Sequence, residues 1–111
     1  MLIVPPSIKI YLYNCITDMR KSFNSLSAII IDNLEQNPLD GSMYVFYNKR
    51  KNKIKILHWE QNGCWLHYKC LAKGRFVIPK MTSNECIHST ELYCMLESAA
   101  HITSSANKRL F

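Results

Sequence analysis

Between Lys49 and Lys80 the chain holds nine basic residues: Lys49, Arg50, Lys51, Lys53, Lys55, Lys69, Lys73, Arg75 and Lys80. Glu60 is the one acid among them, so this stretch carries a net +8. The remaining residues hold five basic and seven acidic side chains, a net −2, so the formal charge of +6 is concentrated in one region. Cations gathered in this way suit a polyanion such as nucleic acid. Trp59 and Trp65 stand in the same region. Aromatic rings interleaved with cations can stack on bases or sugars while the ammonium and guanidinium groups meet phosphates. The candidate nucleic-acid contacts are therefore Lys49, Arg50, Lys51, Lys53, Lys55, Lys69, Lys73 and Arg75, with Trp59 and Trp65 as a stacking or partner surface. The plainer alternative is that the cations are a solvated sheet face and the two rings pack on each other across a hairpin turn.

Other chemistry is weakly represented. His67-x-x-Cys70 and Cys86-x-His88 are pairs of metal-binding types, but no second pair stands at zinc-finger spacing. No metal or cofactor is expected. The eight carboxylates are scattered, whereas two-metal nucleases need several converging on Mg²⁺. Asp18, Asp40 and Glu60 are the three that a fold could bring together. There is no Gly-rich phosphate loop, no Gly-x-Ser-x-Gly and no His-Glu-x-x-His. The expectation is a non-enzymatic protein.

The elements that must position these residues follow from periodicity. Residues 8–13 (IKIYLY) alternate as a first strand after the extended Pro5-Pro6 pair. Met19, Phe23, Leu26, Ile30 and Leu34 recur at helical spacing and predict a long helix. Thr17 is its expected N-cap, and Pro38 ends it near Asn37. Arg20 and Lys21 then fall in the first turn, where cations oppose the helix dipole. That placement makes sense if they extend the basic region toward a phosphate at the helix N-terminus. The duller alternative pairs Arg20 with an acid such as Asp40 or Glu60.

Three strands are expected at 42–48, 53–60 and 63–71, joined by short links, as an antiparallel meander. Asn62-Gly63 is a favoured hairpin dipeptide because both residues tolerate positive φ. Alternation puts Lys53, Lys55, Leu57 and Trp59 on one face of the second of these strands, and Ile54, Ile56 and His58 on the other. In the third, Trp65, His67, Lys69 and Leu71 oppose Cys64, Leu66, Tyr68 and Cys70. Placing Ile54, Ile56, Leu66 and Tyr68 in the core gives an outer face of Lys53, Lys55, Trp59, Trp65, His67 and Lys69. With helices on one side only, Leu57 and Leu71 would be left exposed for a partner. A short fourth strand is expected at 75–79, and a C-terminal helix from Ser89 or Thr90 to about Ala100, its stripe including Ile87. Residues 101–111 read as a poorly ordered tail.

The fold class expected is α+β: a small antiparallel meander of three to five strands, one long helix after the first strand, and a C-terminal helix. The length of 111 residues suits a single domain over 1–111. Five cysteines, odd in number and irregular in spacing, argue for reduced thiols. No apolar run reaches membrane-spanning length, and the N-terminus lacks the features of a signal peptide, so a cytoplasmic setting is expected.

Several short motifs occur together and in order: Thr17-Asp18-Met19-Arg20-Lys21 with Phe23, Phe46-x-x-x-Arg50, Lys55-Ile56-Leu57 with Trp59, Lys73-Gly74-Arg75-Phe76 before Pro79, and the terminal STELYCMLE. With them the chain resembles, over about residues 5–97, the TnpB accessory proteins of the insertion sequence sixty-six family of bacterial transposable elements. It departs from that pattern at Ser22, Glu60, Cys70, Ile78 and Ser98. The resemblance implies an accessory role in transposition beside a separate transposase. The partner expected is DNA, either element ends or any sequence, with the transposase or another element protein as the alternative. Oligomeric state has no signature in the sequence.

Overall fold

The computed structural model describes residues 2–80 and 86–97. The elements are β1 (Ile10–Ile16), α1 (Phe23–Asp32), β2 (Met43–Tyr47), β3 (Lys53–Glu60), β4 (Gly63–Cys70), β5 (Cys86–Ile87) and α2 (Ser89–Glu97). The five strands form one mixed sheet in the order β4-β3-β2-β1-β5, an α+β arrangement with two helices. The expected meander is present: β2 pairs antiparallel with β3, and β3 with β4. The sheet is not antiparallel throughout, however, because β1 runs parallel to β2, with Ile10 beside Met43 and Leu12 beside Val45. A parallel neighbour needs a crossover, and α1 with its flanking loops supplies it.

Both faces of the sheet are covered. On one, Ile10, Leu12, Met43, Val45, Ile54 and Ile56 pack with Val4, Phe76 and the α2 residues Leu92 and Met95. On the other, Tyr13, Tyr44, Phe46 and Leu57 pack with Met19, Leu34 and the α1 residues Leu26 and Ile30. All five residues of β2 are buried, as befits a central strand sandwiched between layers. Helices thus lie on both sides of the sheet, and Leu57 and Leu71 are not left exposed. Leu57 is fully buried under α1, and Leu71 packs against the core on the α2 side.

The first helix is shorter than its apolar stripe. It begins after Ser22, not at Thr17, because residues 17–22 have other partners. Thr17 N donates to Tyr47 O and prolongs the β1–β2 pairing. Asp18 then closes a turn, its carbonyl accepting from Lys21 N and its carboxylate from Arg20 N. At the other end the helix stops at Asp32, well before Pro38. Asn33 turns its side-chain amide to the Tyr13 hydroxyl at 2.9 Å, and Glu35 takes a positive φ of 54°. Met19 and Leu34 thus reach the core from loops.

Residues 75–79 form no strand. Their anchor is Phe76, 1% exposed, whose N–H donates to Lys51 O at 2.6 Å. Ile87 lies in β5 beside Ile10, ahead of α2. Glu91 caps α2 by accepting from His88 N at 2.9 Å, so the cap falls at His88 and not at Ser89 or Thr90. The expected end near Ala100 and the tail at 101–111 lie outside the described residues. Among the described residues no helix is long and apolar enough to cross a membrane.

Replacing Phe76 with Ala should lower stability by about 3–5 kcal/mol, because loss of its buried aromatic ring leaves a cavity where loop 71–80 meets the sheet. Urea unfolding measures this, and a loss below about 1 kcal/mol would contradict the anchoring role.

Candidate nucleic-acid interface

The topology decides which basic residues meet. Because β1 and β2 are parallel and β2–β3–β4 alternate, four strand ends share one side of the sheet: the C-termini of β1, β2 and β4 and the N-terminus of β3. The loops leaving them are 17–22, 48–52 and 71–80. Backbone bonds tie these loops together: Thr17 N to Tyr47 O, Leu71 N to Asn52 O, and Phe76 N to Lys51 O. Arg20, Lys21, Lys49, Arg50, Lys51, Lys53, Lys73 and Arg75 are therefore carried to one end of the sheet. The one acid in these loops is Asp18. The N-terminus of α1 faces the same end. Its Ser22 makes no side-chain cap bond, and no acid stands in its first turn, so the helix dipole adds to the positive field. Asp32 ends α1, Glu35 and Asp40 stand between it and β2, and Glu60 ends β3, so these four acids lie toward the opposite end of the sheet, where Lys9 precedes β1, and the molecule has a basic end and an acidic end.

Within the basic end the cations differ in freedom. Lys49, Arg50, Lys73 and Arg75 are exposed, and Lys21, Lys51 and Lys53 are half-buried. Lys51 holds a positive φ of 58° in the β2–β3 turn, where Asn48 Oδ1 accepts from Asn52 N and Lys53 N. Lys55 is committed inward. Its ammonium donates to Met19 O at 2.9 Å and Lys21 O at 2.8 Å, and lies 5.1 Å from the centre of the Tyr68 ring. Arg20 forms a two-pronged pair with Asp18, Nη2 to Oδ2 at 2.7 Å and Nε to both oxygens at 3.0–3.1 Å. The pair is solvent-exposed, and Arg20 meets neither Asp40 nor Glu60. Hydrogen bonds from Arg20 hold the Asp18 carboxyl down to about 2, below the usual carboxylate range.

The outer face expected from alternation does not exist as drawn. Each strand alternates as read, but the faces combine the other way: Leu57 stands opposite Leu66, Lys55 opposite Tyr68, and Ile56 opposite His67. The reason is the turn. Gln61 and Asn62 form a two-residue loop closed by Glu60 and Gly63, and the positive φ of 56° falls on Gln61, not on Asn62 or Gly63. That loop length pairs odd positions with even ones. Lys53, Lys55 and Trp59 thus share the α1 face with Leu66 and Tyr68, while Trp65, His67 and Lys69 lie on the α2 face. The two tryptophans do not pack together. Trp59 meets Phe23 at 6.2 Å between ring centres, and Trp65 stacks on His67 at 6.1 Å, its indole N–H donating to Glu60. Tyr68, expected in the core, is 49% exposed. Lys69 is exposed and donates to Leu96 O at 2.8 Å, at the C-terminus of α2.

Two features escaped sequence reasoning. One is an open groove of about 1000 Å³ on the α2 face, with Trp65, His67 and Lys69 on one wall and Leu2, Tyr93 and Leu96 on the other. Its walls come from distant segments, so no local pattern announces it. Burial and the charge of His58 both push the His67 imidazole pKa down. The other is the structural use of Lys55, which reads locally like any other strand lysine. Among the described residues no three His, Cys, Asp or Glu side chains gather as a metal site. Asp18 is at the basic end, apart from Asp40 and Glu60. Asp40 instead accepts from the buried Tyr44 hydroxyl and from Ser42 N.

A protein-family model described as IS66 Orf2 like protein, TnpB_IS66, matches residues 8–105. The chain belongs to this family. Membership associates it with insertion sequences and with an accessory place in transposition, in line with the resemblance carried by its motifs. Two curated relatives of this IS66 Orf2-like chain are uncharacterized proteins of Sinorhizobium fredii (strain NBRC 101917 / NGR234). The chain is similar to y4hO, 34% identical over 73 residues, which is 66% of this chain and 64% of that protein. It is also similar to y4jC, 29% identical over 79 residues, which is 71% and 68% of the two chains. The match thus spans a little under two thirds of the length of y4hO. No solved structure matches the chain.

Two outcomes are expected from this geometry. Lys55→Met should lower stability by about 1–3 kcal/mol in denaturant titration, because two inward carbonyls lose a charged donor. Titration of the Asp18 carboxyl by NMR should give a midpoint near 2, moving up toward the ordinary range in Arg20→Ala. Because the folded-state value is depressed, the pair's contribution is fully present above the ordinary carboxylate range and is lost as pH falls through about 2.

Proposed function

We propose that this chain is a non-catalytic accessory protein of insertion-sequence transposition that binds DNA through the basic end of its sheet, in a cytoplasmic setting. The observation that carries this reading is the gathering of eight cations, seven from three loops and Lys53 from the start of β3, with Asp18 the one acid in those loops. Seven of them, Lys21, Lys49, Arg50, Lys51, Lys53, Lys73 and Arg75, have no carboxylate partner among the described ion pairs. A positive field of this kind attracts phosphates without reading sequence, and the α1 N-terminus strengthens it. Lys55 serves by holding the loop that carries Arg20 and Lys21. Tyr68, whose ring lies beneath the Lys55 ammonium near this end, is better placed to meet a base or sugar than Trp59 or Trp65.

A second reading is an adaptor that binds the transposase or another element-encoded protein. The groove on the α2 face favours it, because Trp65 is 57% exposed on one wall and apolar residues line the floor. Co-purification with the transposase without DNA, lost on Trp65→Ala, would support that role.

The deciding experiment for DNA is a binding titration on element-end duplex over a range of salt. If about five cations meet phosphates, log K against log salt should fall with a slope of about −4.5. Arg50→Ala with Arg75→Ala should reduce the steepness by roughly 2, whereas Lys55→Met should change it by less than about 1. A flat salt dependence, or no binding at micromolar protein, would remove DNA as the partner.

A further inference from the structure

The two edges of the sheet are unequal. Among the described residues, the edge on the β1 side is β5, which is two residues long. On the other side it is β4, eight residues long and paired with β3 without a bulge from Gly63 to Cys70. β4 contains no Pro, and Lys69 is its one formally charged residue. Long, regular, weakly charged edges are templates for a further strand.

The hydrogen-bond phase of β4 is fixed at both ends. Glu60 and Gly63 close the two-residue turn, and Leu71 N donates to Asn52 O just beyond the strand. Odd residues of β4 therefore bond to β3, and Cys64, Leu66, Tyr68 and Cys70 aim their N–H and C=O groups outward. Such a row has one self-complementary antiparallel register that uses all four: Leu66 against Tyr68 and Cys64 against Cys70 of a second copy, with His67 on the two-fold axis. Each face of the sheet then continues across the junction, and Trp65 of one copy stands directly opposite Lys69 of the other.

Charge favours the same arrangement. Antiparallel docking sets the basic end of one copy, with Lys53, Lys73 and Arg75, alongside the acidic end of the other, with Glu60. A parallel docking would align like ends. We infer that β4 is a homodimerisation edge, where two copies pair antiparallel about His67 into a continuous ten-stranded sheet. This assembly does not depend on DNA binding.

Cross-linking and sedimentation test it together. Cys64 and Cys70 of one chain are six residues apart on a strand, about 20 Å, beyond a short bis-maleimide. A Cys64–Cys70 cross-link can therefore form only between copies. In a chain with Cys15, Cys86 and Cys94 changed to Ser, mass spectrometry should find that link in a covalent dimer, and Cys70→Ser should abolish it. Sedimentation equilibrium adds a sign-dependent readout. Trp65→Lys, which faces Lys69 of the second copy, should weaken the dimer about tenfold, whereas Trp65→Glu should keep it or tighten it. A chain that stays monomeric at hundreds of micromolar overturns the proposal. So does a dimer that lacks the Cys64–Cys70 link, or one that responds equally to both charges at position 65.

Discussion

The structure depends on the parallel pairing of β1 with β2. Parallel neighbours cannot be joined by a tight turn, so the 26 residues between them must cross over the sheet. That obligation places α1 on one face and leaves the other for α2 and the Phe76 loop. It also buries β2 from both sides, and this explains why MYVFY is apolar throughout with no alternation. With β1 and β2 aligned, their C-terminal loops leave the sheet at the same end, and the hairpins that follow return Lys49–Lys53 and Lys73–Arg75 to that end. The charge separation along the molecule is thus a product of strand direction.

Lys55 shows how a charged residue can serve the fold at the centre of a basic region. A cation beside so many others would be repelled if it were free in solution. Here two backbone carbonyls of loop 17–22 and the face of Tyr68 receive it. Lys55 thereby ties loop 17–22 to β3, while Thr17 N bonds Tyr47 O and Arg20 pairs with Asp18 in solvent. The two cations that would sit awkwardly in a first helical turn are in the loop that precedes the N-cap Ser22 instead.

An IS66 Orf2-like chain built in this way carries its surfaces on different kinds of element. The basic end is assembled from loops, which can change length and charge without disturbing the core. The groove and the β4 edge are built on the sheet, where geometry is rigid.

The sequence by itself determined the α+β class, the meander, the concentration of charge and the family, because these are written in local alternation, turn residues and ordered short motifs. Strands β3 and β4 were legible almost to the residue. The tertiary structure alone decided the parallel β1–β2 pair, the bounds of α1 at Phe23 and Asp32 in place of a start after Thr17 and an end near Asn37, and the loss of a strand at 75–79. Distant partners took the backbone in two of these places, Tyr47 at Thr17 and Lys51 at Phe76, while at Asn33 the side-chain amide turned to Tyr13. The faces of the hairpin were also beyond local reading. Alternation fixes which residues of one strand share a side, but only the turn length fixes how two strands combine, and one residue of register moved Trp65, His67 and Lys69 to the far side from Lys53 and Lys55.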